Sequence, residues 1–159
     1  MITERMRRGK LYRFRHGQLL PPNPPYGYRY ILVSQEGGGQ WQIDEPAAAI
    51  VRQIYRWYTT DSLTISGIAK RLSEQAVTTT TQRHYWAYAS VRAILKQQAY
   101  TGRSYYNRTQ RDNDSIGRPR KTGRGTLTSA ENRPRPRDEW IELTTPVILD
   151  GDLWQQAQE

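Results

Sequence analysis

The chain has 159 residues, with 24 Lys and Arg against 15 Asp and Glu, and its net charge of +9 favours a polyanionic partner, nucleic acid first, although such an excess also serves plain solubility. Cysteine is absent, which excludes disulfides, thiol nucleophiles and cysteine-type zinc sites. No apolar run approaches a membrane span and no signal-peptide pattern opens the chain, so it reads as cytoplasmic with no membrane partner.

From Ile2 to Gln18 the chain carries Arg5, Arg7, Arg8, Lys10, Arg13 and Arg15 against the single Glu4. Ile2, Met6 and Phe14 are too sparse for a core-facing stripe, so this segment predicts a projecting basic helix. Pro21, Pro22, Pro24 and Pro25 then force an extended path. A hairpin follows. Tyr28, Tyr30 and Leu32 alternate with Arg29, Ile31 and Val33, Trp41 and Ile43 alternate with Gln40 and Gln42, and Gly37 to Gly39 marks the tip.

Asp44-Glu45-Pro46 opens a helix whose apolar stripe is Ile50, Val51, Ile54, Trp57 and Tyr58. Thr64 caps a second helix, aligning Ile65, Ile68, Ala69 and Leu72. A polar turn from Thr78 to Tyr85 leads to a third, with Val91, Ile94 and Leu95 inward, and Gly102 ends that unit. Arg103–Arg108 and Trp140–Leu143 predict strands. Between them lies a long basic loop without apolar periodicity, holding Arg111, Arg118, Arg120, Lys121, Arg124, Arg133, Arg135 and Arg137. Asp150 is placed to cap a last helix with Leu153, Trp154 and Ala157 facing inward.

The second and third helices have helix-turn-helix character with a lengthened turn. At 100° per residue the third turns Ala89, Arg92, Ala93, Lys96 and Gln97 away from its stripe. Arg can pair with guanine, Gln can read adenine, and alanine permits close approach to thymine methyls, so this face suits a major groove. An ordinary solvated helix face has the same pattern. The opening helix and the basic loop suit phosphate contact, which fixes position rather than sequence. Trp86 and Tyr88 could stack on single-stranded bases, but a Trp just before a helix packs more readily beneath it as a staple.

Catalytic signals are weak. Asp112-Asn113-Asp114 with Gly117 imitates a calcium loop, but Ile116 and Gly123 stand where oxygen ligands are needed. Asp150 and Asp152 are better explained by capping, and Asp138, Glu139 and Glu142 have no His or Lys nearby in sequence. No catalytic residue, metal ligand or cofactor is assigned.

Pro25-Tyr26-Gly27-Tyr28-Arg29 resembles the Pro-Tyr-Gly-Tyr signature opening the recombinase domain of large serine recombinases, integrases and transposases. Thr64-Ile65, Ile68-Ala69, Leu72 and Val77 resemble the helix that follows it. Trp86, Ser90-Val91-Arg92, Ile94-Leu95, Tyr100 and Gly102 are similar to the next block, and Trp140, Pro146-Val147-Ile148 and Trp154 to its ending. Ala76 stands in place of the usual glycine, Thr78 of proline, Ala87 of the Ser/Thr cap and Gln97 of asparagine. Tyr28 to Ser34 also resembles the family's nucleophile motif, but Leu32 occupies the place of its activating arginine.

The resemblance implies a parent serine site-specific recombinase with a separate N-terminal catalytic domain, whose serine cuts DNA through a phosphoserine link. The residues before Gly17 resemble the end of the helix leading out of that domain, and a zinc ribbon is expected beyond this chain. Within it, residues 1–20 are expected to be linker helix and basic arm, and residues 21–159 the DNA-binding domain with its basic loop at 109–139. The expected fold is α+β, a helical bundle with a helix-turn-helix-like core and a small antiparallel β-sheet. The expected function is recognition of an attachment site or transposon end in double-stranded DNA, without catalysis by this chain; a helix-turn-helix transcriptional regulator is the alternative. The full protein is expected to act as a homodimer or tetramer on DNA, at the nucleoid. The residues expected to touch DNA are Arg13 and Arg15, with Tyr12 to Pro25 running along a minor groove; Arg83, Tyr88, Ser90, Arg92, Lys96 and Gln97; and Arg118, Arg120 and Lys121.

Overall fold

The computed structural model describes residues 2–17, 20–34, 38–111, 120–122, 125–127 and 132–159. They form two compact units, Met1–Ser104 with Leu143–Glu159, and Tyr105–Glu142. The fold is α+β. In chain order the helices are α1 (Ile2–Arg15), α2 (Glu45–Thr59), α3 (Ile65–Glu74), α4 (Tyr88–Leu95) and α5 (Gly151–Gln156). The strands are β1 (Tyr28–Ser34), β2 (Gly38–Ile43), β3 (Arg103–Tyr106), β4 (Thr109–Arg111), β5 (Arg120–Thr122), β6 (Gly125–Leu127), β7 (Asn132–Pro134) and β8 (Ile141–Thr144). They pair two by two, β1 with β2, β3 with β8, β4 with β7 and β5 with β6, and do not assemble into one sheet.

The core of the first unit is where α2 meets α3, α4 and α5. Val51, Ile54 and Trp57 of α2 are buried as their spacing predicts, together with Ile68, Ala69 and Leu72 of α3 and Val91, Ile94 and Leu95 of α4. The inward face of α2 is rotated from the expected stripe. Tyr55 is wholly buried, while Ile50 and Tyr58 are only half-buried. The Tyr55 hydroxyl lies 3.0 Å from both the Ile94 and Leu95 carbonyl oxygens, which also accept from the Gln97 amide and from Gln158 Nε2, so the carbonyls at the end of α4 are shared among three donors.

Helix α1 is exposed from Glu4 to Lys10, but Phe14 is 1% exposed. The expectation of a freely projecting helix is therefore corrected at its last turn. The proline stretch is extended but tied down: Leu20 is buried and its amide donates to Gly39 O, while Trp41 Nε1 donates to Pro21 O at 2.7 Å.

The expected hairpin forms, with Tyr28 opposite Ile43, Tyr30 opposite Trp41 and an irregularity between Leu32 and Ser34. The glycine run is not simply its tip, because Gly38 and Gly39 belong to β2. A Cβ at position 39 would overlap the Tyr30 ring, so this glycine lets an aromatic lie across the strand.

The predicted basic loop also differs. It carries β4 to β7, with Gln110 opposite Arg133 and Lys121 opposite Thr126. Its polar residues hide any core-facing alternation, because backbone pairing of short polar strands needs none. At the other end, Asp150 occupies the N-cap of α5 but makes no side-chain cap bond, and Leu153, Trp154 and Ala157 are half-buried rather than inward.

The α3–α4 connection is built on an unusual residue. Ala76 has φ +52° directly after α3, its amide donates to Ser73 O and the Val77 amide to Leu72 O. This is a Schellman ending with alanine where glycine is favoured. Ala87, at the N-cap of α4, offers no side-chain cap either. Ala76→Gly and Ala87→Ser should each raise stability by about 1 kcal/mol, additively, in urea denaturation. No gain from Ala76→Gly would mean that the left-handed turn costs the chain nothing.

Candidate nucleic-acid interface

Helix α4 divides cleanly into two faces. Val91, Ile94 and Leu95 are buried, and Ala89, Arg92, Ala93 and Lys96 are exposed. With Tyr88, those four line a shallow groove of about 330 Å³. Two cations thus flank two small side chains, an arrangement that lets a polyanion approach the helix closely.

A second cavity, about 280 Å³, lies on another side of α4, between Ser90, Ala93 and Gln97 and the turn Thr79–Thr81, with Trp86 and Tyr26 in its wall. Gln97 is not freely presented as the sequence predicts. It is half-buried, and its Oε1 accepts from the Ala99 amide at 3.4 Å, at the start of a 3-10 turn over Gln98–Thr101. Arg83 is exposed in the inter-helix turn. That turn is held by the Thr79 amide donating to Arg83 O at 2.7 Å and the Arg83 amide to Thr79 Oγ1 at 3.2 Å.

Arg13 and Arg15 lie in the last turn of α1, Arg15 exposed and Arg13 half-buried. Arg120 and Lys121 are on β5 of the second unit, and Arg118 lies outside the described residues. The structure therefore brings Tyr88, Arg92 and Lys96 together, and places Ser90 and Gln97 on the adjoining cavity.

Trp86 is structural. It is 3% exposed, its Nε1 donates to Val77 O, its amide donates to Ser73 Oγ, and its ring meets Tyr26 edge-on at 5.2 Å. The same holds for Tyr26, Gly27 and Tyr28. Gly27 has φ +101°, and a Cβ there would press on Ile148 and Val51 at 3.1 and 3.2 Å. Tyr100 Oη donates to Tyr26 O at 2.7 Å, and Tyr28 Oη lies 2.9 Å from Ala99 O and 2.6 Å from Pro146 O. Burial pushes the phenols of Tyr28, Tyr55 and Tyr100 well up, and for Tyr100 the neighbouring tyrosines add to it. Tyr26 moves the same way, through burial and then the Asp44 carboxylate. These are packing groups held neutral, not acids or bases poised for catalysis.

Among the described residues, no group of three or more His, Asp or Glu could hold a metal ion, and no helix is long and apolar enough to cross a membrane. The calcium-like Asp112–Gly117 motif lies outside the described residues. Ser34 ends β1, and Leu32, two residues before it, is exposed.

The model of the Recombinase family matches residues 45–159. The chain belongs to the Recombinase family. The match takes in α2, α3 and α4, both faces of α4 and the strands that follow. A Bacillus subtilis (strain 168) protein described as "Putative DNA recombinase" is 26% identical over 162 residues, covering 99% of this chain and 30% of that protein. The crystal structure of a large serine recombinase (LSR)–DNA complex matches with a TM-score of 0.57 at 18% identity, covering 97% of this chain and 37% of that one. At that identity the likeness shows a shared fold. This Recombinase chain spans about a third of the length of each of these relatives.

Proposed function

We propose that this chain is the duplex-DNA-binding module of a serine site-specific recombinase and recognises an attachment site or transposon end. The observation that carries the reading is the exposed face of α4, where Arg92 and Lys96 flank Ala89 and Ala93 while the opposite face is wholly core. Family membership and the fold shared with a recombinase solved on DNA favour DNA over another polyanion. In this reading α4 enters the major groove and Arg92 reads a base edge. Arg13 and Arg15 contact phosphate or a narrowed minor groove next to it. Arg83, Arg118, Arg120 and Lys121 serve as phosphate contacts that set position. The chain leaves strand cleavage to a separate catalytic domain, and the whole protein assembles as a dimer or tetramer on its site, at the nucleoid.

Arg92→Ala should weaken binding to the preferred duplex by about 1–3 kcal/mol and relax preference at one base position in a randomised library. Arg120→Ala should weaken all duplexes alike and lower the salt slope by about one. Denaturing gels of the same reactions should show no covalent protein–DNA species. Two variants with the same library profile would remove α4 from the major groove.

A further inference from the structure

We infer that Trp140 organises Arg108 and Arg137 into a phosphodiester clamp on the second unit, a site separate from the reading face of α4. The inference rests on the proposed role in DNA binding and specifies a second point of contact. Three arginines surround Trp140, and the structure treats them differently. Arg135 pairs with Glu139, its side chain is 13% exposed, and its backbone carbonyl accepts from Trp140 Nε1 at 3.0 Å. Its charge is already neutralised, and its main chain fixes the indole.

Arg108 and Arg137 are exposed, with their guanidinium carbons 4.9 and 5.8 Å from the centroid of that ring. No carboxylate among the described residues pairs with either, although Asp138 directly follows Arg137. The ring is backed by Tyr105, centroids 5.8 Å apart. The connection beside it is held by Asn107, whose φ is +61° and whose Nδ2 donates to Glu139 O at 3.1 Å.

Two like charges gathered on one aromatic ring repel each other, and stacking offsets only part of that cost. A phosphate supplies the missing counter-charge, and a guanidinium stacked through its plane still directs N–H donors outward in a rigid fork. Adjacent phosphates of one strand, or one phosphate held between the forks, meet this need equally. A lysine pair would carry the same charge without the stacking that fixes direction.

Duplex binding measured against salt concentration tests the site. Arg108→Gln with Arg137→Gln should lower the salt slope by about 1 if both forks share one phosphate and by about 2 if each holds its own, since each phosphate left without its cation removes about 0.9, while the base preference read by α4 stays as in the parent. Arg108→Lys with Arg137→Lys keeps the net charge and should still weaken binding severalfold. A glutamine pair with unchanged affinity and slope overturns the clamp, and so does a lysine pair that binds as tightly as the parent. Inorganic phosphate, titrated at low salt, provides a readout independent of DNA. It should shift the Trp140 indole N–H resonance, identified by its disappearance in Trp140→Phe, and not in the glutamine pair. An unmoved resonance overturns the clamp even where duplex binding persists; a shifted one in a chain that binds no duplex keeps the clamp and removes the proposed function.

Discussion

Trp86→Ala should destabilise the chain by about 3–5 kcal/mol before any DNA is added, a large share of the roughly 5–15 kcal/mol that holds a typical domain. The indole is buried between α3, α4 and Tyr26, and a cavity is left when it goes. Its Nε1 donor is also the partner of Val77 O, the residue that closes the Schellman ending of α3. The damage would therefore spread to the geometry that sets α4 against α3. Trp86→Phe keeps most of the packing and gives up the hydrogen bond, so its cost should be smaller, about 1–2 kcal/mol. Urea denaturation of both variants checks this. A Trp86→Ala chain that unfolds at the parent's urea concentration but no longer binds duplex would make the indole a base-stacking residue instead.

Stability should also fall steeply in alkali. Burial raises the phenol pKa of Tyr28, Tyr55 and Tyr100 in the folded chain, whereas an unfolded tyrosine ionises near 10. The raised group holds its proton more tightly when folded, so its contribution is fully present below about pH 10 and is lost as pH climbs toward the folded value. Each tyrosine that stays protonated in the fold removes about 1.4 kcal/mol per pH unit in that window, and three together about 4. Thermal melts at rising pH should be flat up to about pH 9.5 and then drop, with tyrosinate absorbance from the buried phenols appearing only on unfolding. Tyr100→Phe should make the drop shallower by about a third while lowering stability at neutral pH, because the Tyr26 carbonyl loses its donor. A melting temperature unchanged through pH 11, about a unit above the unfolded value, would mean that these phenols ionise inside the fold.

Helix positions, the alternation of the hairpin strands and the two faces of α4 were legible in the sequence because each depends on periodicity within a short window. Thr64 could be read as a cap for the same reason, since its partner, the Gly67 amide, lies three residues away. The blocks from Pro25 to Trp154 pointed to the family that the match over residues 45–159 shows. Much of what the sequence could not determine involves partners distant in the chain. Tyr55 turns inward because the end of α4, some 40 residues on, supplies acceptors for its hydroxyl, and nothing local distinguishes it from a surface tyrosine. Phe14 is buried although its own helix has no stripe. Gln97 is half-buried and accepts the Ala99 amide, which its place on the projected outer face of α4 concealed. The strands at 109–134 pair through backbone groups that every residue carries, so their side chains gave no warning. The sequence by itself determined which faces are apolar; the tertiary structure decided which polar groups could be buried, because a hydroxyl or amide leaves water only where the fold supplies it a partner.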